Sequence, residues 1–145
     1  MRFIVSDRRS IEEGVLVRSS YVVISIHDPD KTKAHVRRQA GLRDTLYLAF
    51  HDAEPCANIF LPKQIKIMTE AQARLAWEFV RKWDGKVGVV VVHCEQGMSR
   101  SPAVAAALCV GCGGDDSSFF RNHQPNPFVY RLMLACKPTW KEGER

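Results

Sequence analysis

Residues 87 to 92 read Val-Gly-Val-Val-Val-Val, an apolar run without any alternation of polar and apolar side chains. A strand with one wet face alternates with a period of two. An unbroken run therefore argues for burial on both faces, the position of an inner strand in a parallel sheet. Parallel neighbours need long crossover connections, usually helices laid against the sheet. The rest of the chain is predicted to supply them.

Arg2 to Val5 forms a candidate first strand, and Ser10-Ile11-Glu12-Glu13 a short capped turn of helix ended by Gly14. Tyr21 to Ile26 is β-branched and nearly continuously apolar, a second buried strand closed by the turn His27-Asp28-Pro29-Asp30. Leu46 to Phe50 is another apolar strand, again ended by a His-Asp pair, His51-Asp52. Ala53 to Met68, with Pro55 and Pro62, reads as an extended surface loop. Thr69-Glu70-Ala71-Gln72 is a capping box, and Leu75, Phe79 and Trp83, beside Ala76 and Val80, fall on one helical stripe that Asp84-Gly85 ends. Ser101 to Leu108 is an Ala-rich helix with Pro102 in its first turn, and Pro127 to Cys136 a last helix with Phe128, Leu132 and Cys136 on one stripe. The expected fold is a single α/β domain over residues 1 to 145, with a central, mostly parallel sheet and helices on both faces.

Composition narrows the class. A chain of 145 residues buries about two-thirds of its unfolded surface as one domain. No apolar run approaches the roughly 20 residues needed to span a bilayer. The start Met1-Arg2-Phe3-Ile4-Val5-Ser6-Asp7 lacks the apolar core and cleavage site of a signal peptide, so a cytoplasmic protein is expected. The net charge of +5 suits an anionic ligand, yet Lys31, Lys33, Arg37 and Arg38 form the only notable basic cluster, with no aromatic residues interleaved. Charge alone supports nucleic-acid binding weakly. Five cysteines form an odd count without framework spacing, so free thiols are the default. Cys109-Val110-Gly111-Cys112 has no second Cys or His pair to complete a zinc site and is expected to hold buried, apolar thiols. No metal and no cofactor are implied.

The segment His93-Cys94-Glu95-Gln96-Gly97-Met98-Ser99-Arg100-Ser101 lies between the Val87 to Val92 strand and the Ala-rich helix. In open α/β sheets, ligands bind beyond the carboxyl ends of strands, where a loop enters the next helix. The helix N-terminus there offers unpaired N–H groups and a positive field to an anion, and the same field favours a thiolate over a thiol. Arg100 supplies a planar fork for two oxygens of a phosphoryl group, and Gly97 lets the backbone curl so that successive amides point inward. A Cys followed by an Arg at this spacing is common by chance. The full string in its strand-to-helix setting is not. Together these groups are suited to hold a phosphate and aim a sulfur at its phosphorus.

His-Cys-x-x-Gly-x-Ser-Arg-Ser-Pro resembles the signature of the protein tyrosine phosphatase superfamily, and residues 20 to 135 resemble a compact dual-specificity-type phosphatase domain. Pro125-Asn126-Pro127-Phe128 is similar to the segment that abuts the signature loop in such domains. The resemblance implies hydrolysis of phosphate monoesters, foremost protein phosphotyrosine and, in the smaller, shallower-pocketed type, also phosphoserine and phosphothreonine, through a phosphocysteine intermediate. It implies Cys94 as nucleophile, and Arg100 with the amides of Glu95, Gln96, Gly97, Met98, Ser99 and Arg100 as the phosphate cradle. Ser101 would steady the departing thiolate, His93 would orient the loop, and Asn126 would support it. The general acid is expected at Asp52 from chain order, with Asp28, which follows a strand in the same His-Asp pattern, as the alternative. The implied partner is a phosphorylated protein or peptide, not a membrane or a nucleic acid. Two other readings stay open: a catalytically silent phosphate-binding module, and an RNA 5′-phosphatase. Cys56 lies near the expected acid loop, where a solvated spectator thiol is expected rather than a disulfide with Cys94.

Overall fold

The computed structural model describes residues 1–55 and 61–139; Cys56, and with it the question of a disulfide to Cys94, lies outside the described residues. Four strands, β1 (Arg2–Asp7), β2 (Tyr21–His27), β3 (Leu42–Ala49) and β4 (Val89–Cys94), form one sheet in the order β1-β4-β2-β3. Every pairing is parallel. The two inner strands, β2 and β4, are buried along their whole length, as their unbroken apolar runs predict. The edge strands β1 and β3 are only partly buried.

Edge position also explains a missed boundary. β3 begins at Leu42, four residues before the predicted start, because this edge strand pairs with β2 on one side only and tolerates polar side chains: Asp44 and Thr45 pair with Val22 and Val23, and Arg43 falls at an irregularity in the register.

Helices α2 (Glu70–Trp83), α3 (Arg100–Gly111), α4 (Ser117–Asn122) and α5 (Pro127–Ala135) pack the larger core against Val22, Ile24, Ile26, Val90 and Val92. The opposite face carries the short helix α1 (Arg8–Glu13) and the irregular segment 28–41, which cover Tyr21, Val23, Val89 and Val91 with Ile11 and Ala34. Both faces are therefore covered, unequally.

The α2 capping box is present, with Thr69 Oγ1 accepting from the Gln72 amide and the Gln72 side chain accepting from the Thr69 amide. The buried stripe of α2 is turned from the expected one: Ala73, Ala76, Trp77, Phe79 and Val80 face inward, while Leu75 is 48% exposed. Trp77 sets this rotation, since its indole Nε1 donates to the Met133 carbonyl at 2.8 Å and ties α2 to α5. In α5 the inward residues are Val129 and Met133, with Phe128, Leu132 and Cys136 half-buried beside them. α1 is capped by Asp7 rather than Ser10, through the Ser10 amide at 2.7 Å. Cys109 and Cys112 are free thiols, but Cys109 is half-buried and Cys112 exposed, because α3 has run past the core where they lie. No helix among the described residues is long and apolar enough to cross a membrane.

Candidate active site

The carboxyl ends of β2, β3 and β4 open onto a cleft of about 400 Å3 lined by Asp28, His51, Asp52, Ala53, Ile65, Cys94, Glu95, Gln96, Met98, Ser99 and Arg100. The predicted loop forms one wall. Cys94 is the last residue of β4 and is buried, with its Sγ 3.1 Å from Ser101 Oγ and 3.5 Å from the Ser101 amide nitrogen.

The loop turns at Gly97, where φ is +70°. A Cβ there would stand 2.8 Å from the Ser6 carbonyl oxygen, so the turn demands both the left-handed backbone and the missing side chain. Glu95, Gln96 and Met98 are exposed along the rim of the cleft. Arg8, the first residue of α1, braces the loop: its amide donates to the Glu95 carbonyl at 3.1 Å and its guanidinium lies 3.6 Å from the Glu95 carboxylate.

Ser99 occupies the N-cap of α3 but makes no cap with its side chain. Its hydroxyl donates instead to Asp52 Oδ1 at 2.8 Å. The first amides of α3 are thereby left uncapped by Ser99, and such a helix end is suited to hold an anion. Asn126 Nδ2 donates to the same Asp52 Oδ1 at 2.9 Å and to the Ala53 carbonyl at 3.2 Å. The Asn126 amide meets the Ser99 carbonyl at 3.0 Å, while Asn126 Oδ1 caps α5 through the Val129 amide. Asn126 thus fastens the segment carrying Asp52 to the Cys94 loop and starts the last helix as well.

His93 is 1% exposed. Its Nε2 lies 2.6 Å from Ser25 Oγ and its Nδ1 3.2 Å from the Cys94 carbonyl oxygen. A carbonyl only accepts, so Nδ1 carries the proton and Nε2 accepts from the serine. Burial holds this imidazole below its ordinary range, partly offset by the bond to the Cys94 carbonyl. His93 is a neutral strut beneath the loop and does not touch the cleft.

Arg100 is 5% exposed, and its Nη1 donates to Asp28 Oδ1 at 2.6 Å and to the Phe50 carbonyl at 2.8 Å. Both sequence candidates for the acid, Asp52 and Asp28, therefore reach the cleft, in different company. His51 is held by Asp30 at 2.8 Å and by the Lys66 amide at 2.9 Å.

Sequence reasoning brought together Cys94, Ser101, Arg100, Asp52 and Asn126. It missed Ser25 as the partner of His93, and the grip of Asp28 and Phe50 on Arg100. The repeated His-Asp pair at two strand ends was the signal for the second. Among the described residues no group of three or more His, Cys, Asp or Glu side chains is placed to hold a metal ion.

No family model matches the chain, and no curated protein matches it in sequence. Solved structures do match. The human tyrosine phosphatase-like serine/threonine/tyrosine-interacting protein aligns at 20% identity over 92% of this chain and 89% of its own, with a TM-score of 0.60. A mouse putative dual specificity phosphatase, described as complexed with zinc tungstate, aligns at 19% identity over 93% of this chain and 81% of its own, with a TM-score of 0.57. Human DUSP28 aligns at 17% identity over 93% of this chain and 90% of its own, with a TM-score of 0.56. With its parallel four-stranded sheet and the helices packed on it, this chain has the fold of the compact dual-specificity phosphatases.

Proposed function

We propose that this chain is a cysteine-dependent phosphatase that hydrolyses phosphate monoesters, protein phosphotyrosine foremost, through a phosphocysteine intermediate. The observation that carries the reading is the placing of Cys94 Sγ between β4 and the start of α3, 3.1 Å from Ser101 Oγ, in the cleft that Arg100 lines.

In the proposed first step the Cys94 thiolate attacks phosphorus. A P–S bond forms, the P–O ester bond breaks, and the leaving oxygen takes a proton from Asp52. Asp52 Oδ1 already accepts from Ser99 and Asn126, so Oδ2 is the oxygen left to carry that proton. The loop amides and Arg100 hold the non-bridging oxygens, where donors fixed in advance act on the charge that develops in the transition state. In the second step water attacks phosphorus and gives its proton to Asp52. The P–S bond then breaks, and the thiolate leaves with Ser101 Oγ–H donating to it.

The cleft also bears on the substrate. Ala53, Ile65 and Met98 offer apolar contact beside the loop, suited to an aromatic ring. Among the described residues that line it, Asp28, Asp52 and Glu95 stand against Arg100 as the one strong cation. That balance disfavours esters carrying further phosphates next to the reactive one, such as inositol polyphosphates or the triphosphate end of an RNA. The chain's net charge of +5 is thus not concentrated where the substrate would sit.

Hydrolysis of p-nitrophenyl phosphate by wild type and Cys94→Ser tests the reading. Turnover by wild type and its loss in Cys94→Ser, by on the order of 10³ or more, is expected for a removed nucleophile. Equal rates would refute it. Parallel assays on phosphotyrosine and phosphoserine peptides check the substrate, with the tyrosine ester expected to be the faster.

A further inference from the structure

Asp28 stands out because its place in the cleft is fixed from several sides although the proposed chemistry has no step for it. It begins the turn Asp28-Pro29-Asp30-Lys31, where the Lys31 amide donates to the Asp28 carbonyl at 3.0 Å and Pro29 presets the backbone. The segment is then pinned twice more. Asp30 accepts from His51 Nε2 at 2.8 Å, and the Arg8 guanidinium donates to the carbonyls of Thr32 at 3.0 Å and Lys33 at 3.1 Å. Arg8 is the same residue that braces the Cys94 loop through Glu95. The carboxylate of Asp28 is therefore held at a set position relative to that loop.

What it meets there is Arg100. Nη1 of a guanidinium carries two protons, and here Asp28 Oδ1 takes one at 2.6 Å and the Phe50 carbonyl the other at 2.8 Å. With Nη1 fully spoken for, the guanidinium plane is fixed. The edge formed by Nε and Nη2, which makes no hydrogen bond among the described residues, is the one left to meet an oxyanion. Two parallel N–H groups on one edge are the geometry that grips two oxygens of a phosphoryl group. Asp28 Oδ2 faces Lys31 Nζ at 3.4 Å, so both carboxylate oxygens are engaged with cations.

We propose that Asp28 is the positioning residue of the site: by holding Arg100 Nη1 together with the Phe50 carbonyl, it presents the Nε/Nη2 edge to the phosphoryl oxygens, and it is not the general acid. The inference rests on the phosphatase reading for the identity of the ligand, a tetrahedral or trigonal-bipyramidal oxyanion.

The test compares Asp28→Ala, Asp28→Asn and Asp52→Ala with wild type by two measurements. The first is direct binding of orthovanadate by titration calorimetry, which needs no turnover and so stands even if the phosphatase reading fails. Asp28→Ala is expected to weaken vanadate about tenfold or more. Asp28→Asn, which keeps an acceptor oxygen for Nη1, is expected to fall between Asp28→Ala and wild type. The second is kcat/KM across aryl phosphates of graded leaving-group pKa. Loss of a positioning group slows good and poor leaving groups alike, whereas loss of the acid slows poor ones most. A uniform loss in Asp28→Ala with a graded loss in Asp52→Ala upholds the assignment. It is overturned if Asp28→Ala binds vanadate as wild type does, or if its loss grows with leaving-group pKa. A wild type that binds vanadate without hydrolysing any ester sinks the phosphatase reading alone, and the calorimetry still decides the role of Asp28.

Discussion

At the scale of single residues, Asp52 shows how much rests on one oxygen. Oδ1 accepts from Ser99 and Asn126, so the carboxyl group is held by one side, and its Oδ2 has no hydrogen-bond partner among the described residues. In the proposed mechanism Asp52→Ala slows hydrolysis of phenyl phosphate by on the order of 10², the common scale for a lost acid, and kcat against pH loses its basic limb. A preserved bell-shaped profile would sink the assignment. Ser101 makes a different forecast, because its hydroxyl meets the Cys94 sulfur at 3.1 Å. Ser101→Ala is expected to leave phosphorylation of Cys94 nearly intact and to slow its breakdown by about tenfold or more. Rapid mixing with p-nitrophenyl phosphate then shows a burst of nitrophenol close to one equivalent of enzyme. Steady release from the first turnover would count against that role. These residues were legible to different degrees. Cys94, Arg100 and Ser101 sit in one contiguous string that names its own chemistry. The pairing of Asp28 with Arg100 spans 72 positions of sequence and that of Ser25 with His93 spans 68, and only the register of β2 against β4 and the path of segment 28–33 bring them together.

Elements were readable where local rules and tertiary context agreed. β2 and β4 could be recognised as inner strands because burial on both faces writes an unbroken apolar run, and α2 announced its start with a capping box. Where a neighbour decides, the sequence was ambiguous. Spacing alone puts Leu75 on the inner stripe of α2, whereas the Trp77–Met133 hydrogen bond turns the helix so that Leu75 is exposed. The six-residue α4, with no side-chain cap and a single buried residue, Phe119, carries too little periodicity to be seen. Gly111 shows the same dependence on a partner. It ends α3 against the ring of Trp77, and a Cβ there would collide with the ring. Trp77 is fully buried and tethered, so it has nowhere to retreat. Gly111→Ala, favourable on helix propensity alone, is therefore expected to destabilise the fold by about 1–3 kcal/mol, the usual cost of overpacking, read as a lower midpoint in urea. An unchanged or higher midpoint would contradict this packing.

For the whole molecule, two buried histidines link the site to acid stability. Burial holds His93 below the ordinary imidazole range; burial, with Lys33 and Arg8 nearby, does the same for His27. The unfolded chain binds protons at these positions near pH 6.5 while the folded chain still refuses them. Stability is accordingly full above the unfolded value and lost as pH falls through the lower folded values. Thermal midpoints are expected to be level above about pH 7.5 and to drop between roughly pH 6.5 and 5, where the carboxylates held low by hydrogen bonds have yet to titrate. A flat midpoint across that interval would show that these imidazoles titrate alike in both states. The cleft itself points to a different property. Glu95, Gln96 and Met98 are exposed along the rim, while Cys94 and Arg100 beneath them are buried, so the rim and the floor of the cleft are made by different residues. A lineage or an engineer can therefore recolour the rim, trading charge for bulk or aromatic surface, and change which esters dock without disturbing the groups proposed to cleave them. In this sense the proposed reaction centre is wrapped in an editable label.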